Sequence, residues 1–133
     1  MIQAYFLSVV YLLFSALLFL LDFYRQKLAF MLALRSKLEE KKLYADILFF
    51  SGIVISIVLL LAPISPGPVI IGDFVPALFI LFSSFYFKFF YFEKSKGRAR
   101  LYYTDNTLHR KWIGFLYIFI ALLHFLFANL VLI

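Results

Sequence analysis

The sequence contains no cysteine. That absence removes thiolate nucleophiles, disulfide exchange and cysteine-ligated metals or clusters. Acidic residues are also scarce, at 7 in 133 positions, and no two of them stand at a spacing suited to paired acid/base work. There is no glycine-rich phosphate loop, no HExxH pair and no Gly-x-Ser-x-Gly elbow, so the commoner enzyme signatures are missing. Lys and Arg are absent ahead of the first apolar run, and no small-x-small cleavage site follows it. A cleaved signal peptide is therefore not expected, and the first segment should remain as a helix.

What the chain has in abundance is apolar side chains. Hydrophobic residues make up 65% and aromatic residues 22%, against 15% charged. Ordinary soluble domains are about 25% charged. A chain this short leaves a large part of its surface outside any core, so this composition points to lipid as its solvent. One domain, 1–133, with no separate soluble module, is the expected organisation.

Four apolar runs are long enough to cross the roughly 30 Å hydrocarbon layer as helices. They cover about 2–21, 43–62, 72–92 and 112–133. Helices are required at this length, because open strands would leave backbone groups unpaired in lipid. The expected fold is thus all-α: an integral membrane protein with four transmembrane helices in an antiparallel up-down bundle.

The cations orient it. One group, Arg25, Lys27, Arg35, Lys37, Lys41 and Lys42, lies between the first two runs. A second, Lys94, Lys96, Arg98, Arg100, Arg110 and Lys111, lies between the last two, and Lys88 stands at that same end of the third run. All 13 therefore fall on one side, which the positive-inside rule makes cytoplasmic, with both termini outside. Arg25, Lys27, Arg98, Arg100, Arg110 and Lys111 are expected to meet lipid headgroups. A nucleic-acid partner is not expected, because no basic domain stands apart from the apolar runs.

The connecting segments carry their own signals. Phe23 to Lys42 alternates apolar residues with cations at helical spacing, which predicts a cytoplasmic helical extension or an interfacial helix. Pro63, Pro66, Gly67 and Pro68 mark a turn. Asp73 is placed to cap the third helix, with Pro76 in its first turn. Leu101 to Trp112 reads as a short hairpin around Thr104–Thr107.

Small and polar residues recur at threes and fours, so each set shares one helix face. The sets are Ser8, Tyr11, Ser15 and Leu18; Ala45, Phe49, Gly52 and Ser56; Ala77, Leu81, Ser84 and Lys88; and Gly114, Tyr117, Ala121, His124 and Ala128. Such faces are what helices in lipid use to pack, and they are expected to form the bundle interior.

His124 stands out, since an ionisable residue deep in an apolar helix is a functional candidate. At about 1.5 Å per residue it lies about 18 Å from the cytoplasmic end, and Ser8 and Ser56 lie about 20 Å from it. These three residues form a candidate intramembrane polar layer. A hydrogen-bonded neutral His124 that sets helix register is the plainer reading of the same face. The only other histidine, His109, is in a loop, so a bis-histidine haem within one chain is excluded and no cofactor or metal is expected. Asp46 and Lys88 sit about one turn from the cytoplasmic ends of their helices. They form a candidate ion pair, although extension of Lys88 to the headgroups is the preferred reading.

These features point to a small polytopic bacterial inner-membrane protein that acts as a non-catalytic subunit or assembly partner of a membrane complex. Other membrane proteins or further copies of the chain are its expected partners. A small oligomeric transporter or channel, with the His124, Ser8 and Ser56 layer facing a pore, is the alternative. In span count alone the chain resembles small multidrug exporters and fluoride channels. The strong charge bias argues against antiparallel dual topology, and the mid-span carboxylate of the exporters is missing from the first run. A membrane-embedded enzyme acting on a lipid-linked substrate, with its site in the last basic loop, is a second alternative.

Overall fold

The computed structural model describes residues 2–24, 30, 33, 42–61, 73–91 and 107–126. Among these residues the chain is all-helical, with four helices and no strand. They are α1 (Ile2–Tyr24), α2 (Lys42–Leu61), α3 (Val75–Tyr86) and α4 (Thr107–Leu126). A π-helical segment, Phe87–Tyr91, continues α3 without a break. Two stretches are long and apolar enough to cross a membrane: Gln3–Leu21, with mean hydropathy 2.4, and Leu43–Leu61, with mean hydropathy 2.3. Val75–Phe89 is a shorter apolar helix.

Cross-helix contacts set the directions. Ser8 meets His124 while Leu20 meets Gly114, so α1 and α4 are antiparallel. Ser56 meets Ala77 while Asp46 meets Lys88, so α2 and α3 are antiparallel. Ser15 meets Ser83 while Phe19 meets Phe87, so α1 and α3 run parallel across the bundle. The most extensive packing is α1 on α4 and α2 on α3, and α1 also touches α2 and α3. Half of the apolar stretch of α1 is buried, against 28% of that of α2. The first helix is the centre of the fold and the second its flank.

Small side chains permit this arrangement. Ser15, Ser83, Ala77 and Ser84 are fully or almost fully buried, which lets α1 and α3 approach on the bundle diagonal. Gly52 is required at the α2 crossing: a Cβ there would overlap Ser84 Oγ and stand 2.5 Å from Tyr11 Oη. At Gly114 a Cβ would lie 2.7 Å from Leu20 Cγ and 3.3 Å from the Ala16 carbonyl oxygen. Toward the basic end the core becomes aromatic. Phe19 is fully buried, with ring centroids 5.1 Å from Tyr86, 5.1 Å from Phe87 and 5.2 Å from Tyr117. Each tilted ring pair contributes about 0.5–1.5 kcal/mol beyond plain contact.

Three local expectations change. The residue at the cap position of α3 is Phe74 rather than Asp73, which lies buried in a π-helical turn that leads into the helix. Pro76 does sit in the first turn, where its missing N–H has no helical partner to lose. Leu108 to Trp112, expected as one arm of a hairpin, instead form the start of α4. Helix propagation from Thr107 meets no proline, and the neighbouring rings accept the Arg110 and Lys111 side chains. The extension 23–42 lies mostly outside the described residues, and Phe30 and Ala33 within it are helical. Pro63–Pro68 and the final residues of the fourth apolar run also lie outside the description.

Candidate functional site: the polar interior of the bundle

The inward face of α1 presents Ser8, Tyr11 and Ser15 at helical spacing, all buried. On this frame two groups of hydroxyls assemble at different levels.

The first group lies where the start of α1 meets the far part of α4. Ser8 Oγ stands 2.9 Å from His124 Nε2 and 2.6 Å from the Tyr5 carbonyl. A serine has one hydroxyl proton, and it is donated to the Tyr5 carbonyl. Ser8 therefore accepts from His124, and the imidazole carries a proton on Nε2. The Tyr5 hydroxyl donates to the His124 carbonyl, and the two rings lie 4.6 Å apart with a 56° tilt. Tyr5 of α1 and His124 of α4 thus meet at Ser8.

Ser56 does not join them. Its hydroxyl donates to the Ala77 carbonyl at 3.0 Å and ties α2 to the first turn of α3. The structure thus brings together two of the three residues of the expected layer, His124 and Ser8, and uses the third at another joint. Ser56 lies on the face of α2 that packs on α3, whereas Ser8 lies where α1 packs on α4.

The second group is near the middle of α1. Tyr11 Oη lies 2.9 Å from the Leu48 carbonyl of α2 and 2.8 Å from Ser84 Oγ of α3. Ser84 Oγ also lies 2.7 Å from the Ile80 carbonyl. The Tyr11 hydroxyl donates to the Leu48 carbonyl and the Ser84 hydroxyl to the Ile80 carbonyl, and either one can instead turn its proton to the other hydroxyl. Ser15 Oγ donates to Ser83 Oγ at 3.3 Å, and Ser83 passes its proton to the same Ile80 carbonyl at 2.9 Å. Tyr117 Oη, from α4, donates to the Phe79 carbonyl at 2.8 Å. These bonds join all four helices through carbonyls already inside helical ladders.

At the basic end, Lys88 Nζ lies 3.5 Å from Asp46 Oδ1. The ammonium also stands 4.2 Å from the centre of the Phe49 ring and 5.4 Å from that of Phe50. The arrangement is the ion pair rather than free extension of Lys88. Arg110 departs from its expected headgroup position: it is only 6% exposed, with its guanidinium carbon 6.0 Å from the Tyr86 ring centre. Lys111 Nζ lies 4.5 Å from the Phe23 ring. Arg25, Lys27, Arg98 and Arg100 lie outside the described residues.

Tyr5 and Ser83 carry no mark as site residues when the sequence is read by stripes alone. A signal existed for both. Tyr5 is one turn before Ser8 on the same face, and Ser83 doubles Ser84 inside an otherwise apolar run. Among the described residues no three His, Cys, Asp or Glu side chains gather as a metal-holding group.

A protein family of unknown function has a model that matches residues 1–124, from the start of α1 to His124 in α4. The chain belongs to this family. The family match thus spans both hydroxyl groups and the Asp46–Lys88 pair. No curated protein and no solved structure matches the chain.

Proposed function

We propose that this family member is a small multi-pass protein of the bacterial inner membrane, with its termini outside and its basic loops in the cytoplasm. In this reading it serves as a non-catalytic subunit or assembly partner of a membrane protein complex. The observation that carries the proposal is the inversion of polarity. Phe6, Phe50, Val54, Phe82, Phe119 and Phe125 face outward, while the serines, Tyr11, Tyr117 and His124 face inward. Water does not favour such a surface, whereas lipid does. The one Trp, Trp112, is 70% exposed near Lys111 in sequence, as an interfacial anchor would be.

The non-catalytic part rests on how the interior hydroxyls are used. Those of Ser8, Ser56, Ser83 and Tyr117 each donate to a helix carbonyl. Groups committed in this way hold helices in register rather than await a substrate. Crosslinking in cells followed by purification in mild detergent tests the reading. A partner present in stoichiometric amount supports it. A homo-oligomer alone, stabilised against heat by an added solute, counts against it.

The contact between Ser8 and His124 favours a second reading, a small oligomeric transporter or channel. Proteoliposome flux that disappears in His124→Asn, with expression and folding unchanged, would select this reading over the first.

A further inference from the structure

The flank between α1 and α2 is not closed. A groove of about 440 Å³ runs there, walled by Leu7, Val10 and Phe14 of α1 and by Phe50, Val54 and Ile55 of α2. Its size falls within the range of about 300–1,000 Å³ usual for small-ligand sites. Two hydroxyl residues border it, Tyr11 and Ser51, and both reach the Leu48 carbonyl, at 2.9 Å and 3.1 Å. The walls are thus apolar in effect.

Two kinds of apolar occupant compete for such a groove in a membrane: another helix or a lipid chain. Helices that associate in lipid do so through small residues that allow close backbone approach. Ser8, Ser15, Gly52, Ser56 and Gly114 are turned into the bundle, and Ser51 is the one small residue on the groove. Leu, Val, Phe and Ile make up most of its wall, a ragged surface that a flexible hydrocarbon chain fills better than a rigid helix. Charge adds a second argument. Phe50 is the lining residue of α2 nearest the start of that helix, and the Lys88 ammonium, just outside the lining, lies 5.4 Å from its ring. The Lys88 side chain keeps 29% of its surface exposed although Asp46 stands 3.5 Å away. An ammonium has three donors, so it serves both that carboxylate and a phosphate.

We propose that the α1–α2 groove is a lipid site, which holds one acyl chain of an anionic phospholipid with its phosphate at Lys88. The inference rests on the membrane reading above and adds a ligand class to it. The chain lies along Leu7 to Phe14, and the headgroup sits toward the end of the bundle where the cations gather. Asp46 sets the limit on headgroup charge, since it occupies one side of the ammonium.

The test uses the full chain in nanodiscs of equal parts dioleoyl phosphatidylglycerol and dioleoyl phosphatidylcholine. Detergent release and native mass spectrometry then count the retained lipids. About one phosphatidylglycerol per chain is expected, with phosphatidylcholine retained at least about fivefold less, a ratio equivalent to a modest charge-assisted contact. Val54→Trp fills the groove and removes retention of both lipids, and Leu7→Trp, on the other wall, does the same should Val54→Trp fail to fold. Lys88→Gln keeps a bound lipid but brings the two headgroups to parity. Absence of lipid from the wild type, or retention unchanged in both tryptophan variants, overturns the proposal. A tryptophan variant that turns a dimer into a monomer also overturns it, because the groove is then an interface between copies. Release of the unmutated protein into the aqueous phase on detergent phase separation overturns the membrane reading itself. Extraction into the detergent phase without lipid overturns only the groove.

Discussion

Ser8 and His124 stand 116 positions apart in sequence and 2.9 Å apart in the bundle, joined by a hydrogen bond in which the serine accepts. The bond closes α1 against α4 at the end remote from the cations. Its partners arrive on the two helices with the most extensive mutual packing.

The first prediction concerns the worth of this bond. Ser8→Ala and His124→Asn are each expected to leave the fold intact and lower its stability. A double-mutant cycle on unfolding in mixed micelles should give a coupling of about 0.6 kcal/mol and no more than about 1.7, the average and the maximum for hydrogen bonds between membrane helices. A coupling of zero would show that the two groups do not hold each other. Nitrogen-15 spectra of labelled histidine should place a proton on His124 Nε2, and a bare Nε2 would reverse the donor assignment.

Gly52 gives the second. Gly52→Ala forces a methyl group against Ser84 Oγ and the Tyr11 ring, both held by hydrogen bonds, and should cost about 1–3 kcal/mol. Gly114→Ala meets Leu20 Cγ and Cδ2 at 2.7 and 2.9 Å, a wider approach than at Gly52 and against a side chain with other rotamers, and should cost less. Ser84→Ala in the Gly52→Ala background removes the obstructing oxygen and should restore part of the loss. Equal melting temperatures for the two glycine variants would contradict the tight crossing.

The third concerns Asp46 and Lys88, which are each about a third exposed. Exposure weakens the pair, so Asp46→Asn or Lys88→Gln should cost under about 1 kcal/mol after screening. The exchanged pair, Asp46→Lys with Lys88→Asp, should recover most of that. Thermal unfolding in detergent at low and high salt measures it, and a loss unaffected by salt would point to packing on Phe49 instead.

The fourth addresses orientation. A chain without cysteine accepts single labels cleanly. Ser65→Cys should react with an impermeant maleimide from outside intact cells, and Ser95→Cys only after permeabilisation. The reverse pattern would invert the proposed topology.

The inward faces were legible in the sequence because of their spacing. Ser8, Tyr11, Ser15 and Leu18 on α1, and Gly114, Tyr117, Ala121 and His124 on α4, are all buried as the stripes require. On α3 the stripe held at Ala77 and Ser84, which are fully buried, but not at Leu81, which is only partly so; Ile80 and Ser83 are fully buried beside it, because the close approach to α1 turns that face toward Ser15. Pairings across helices were harder to read. Periodicity assigns a residue to a face and a depth but not to a neighbour, so Ser56 was grouped with His124 when its partner is the Ala77 carbonyl. Arg110 was misplaced for a related reason: charge alone suggests the surface, and only the fold shows the Tyr86 ring beside it. The start of α4 at Thr107 was hidden by a basic stretch that interrupts the apolar run without interrupting the helix.

The heavy packing of the first helix on the fourth has a consequence for biogenesis. A nascent chain leaves the ribosome with α1 long before α4 exists. On the proposed membrane reading its serine-lined face then waits, either shielded by the insertion machinery or provisionally matched with α2 and α3. Closure comes only when α4 arrives and displaces whatever stood in its place. If that reading holds, chains truncated within α4 should be cleared by membrane proteases, even though three of the four helices have been synthesised.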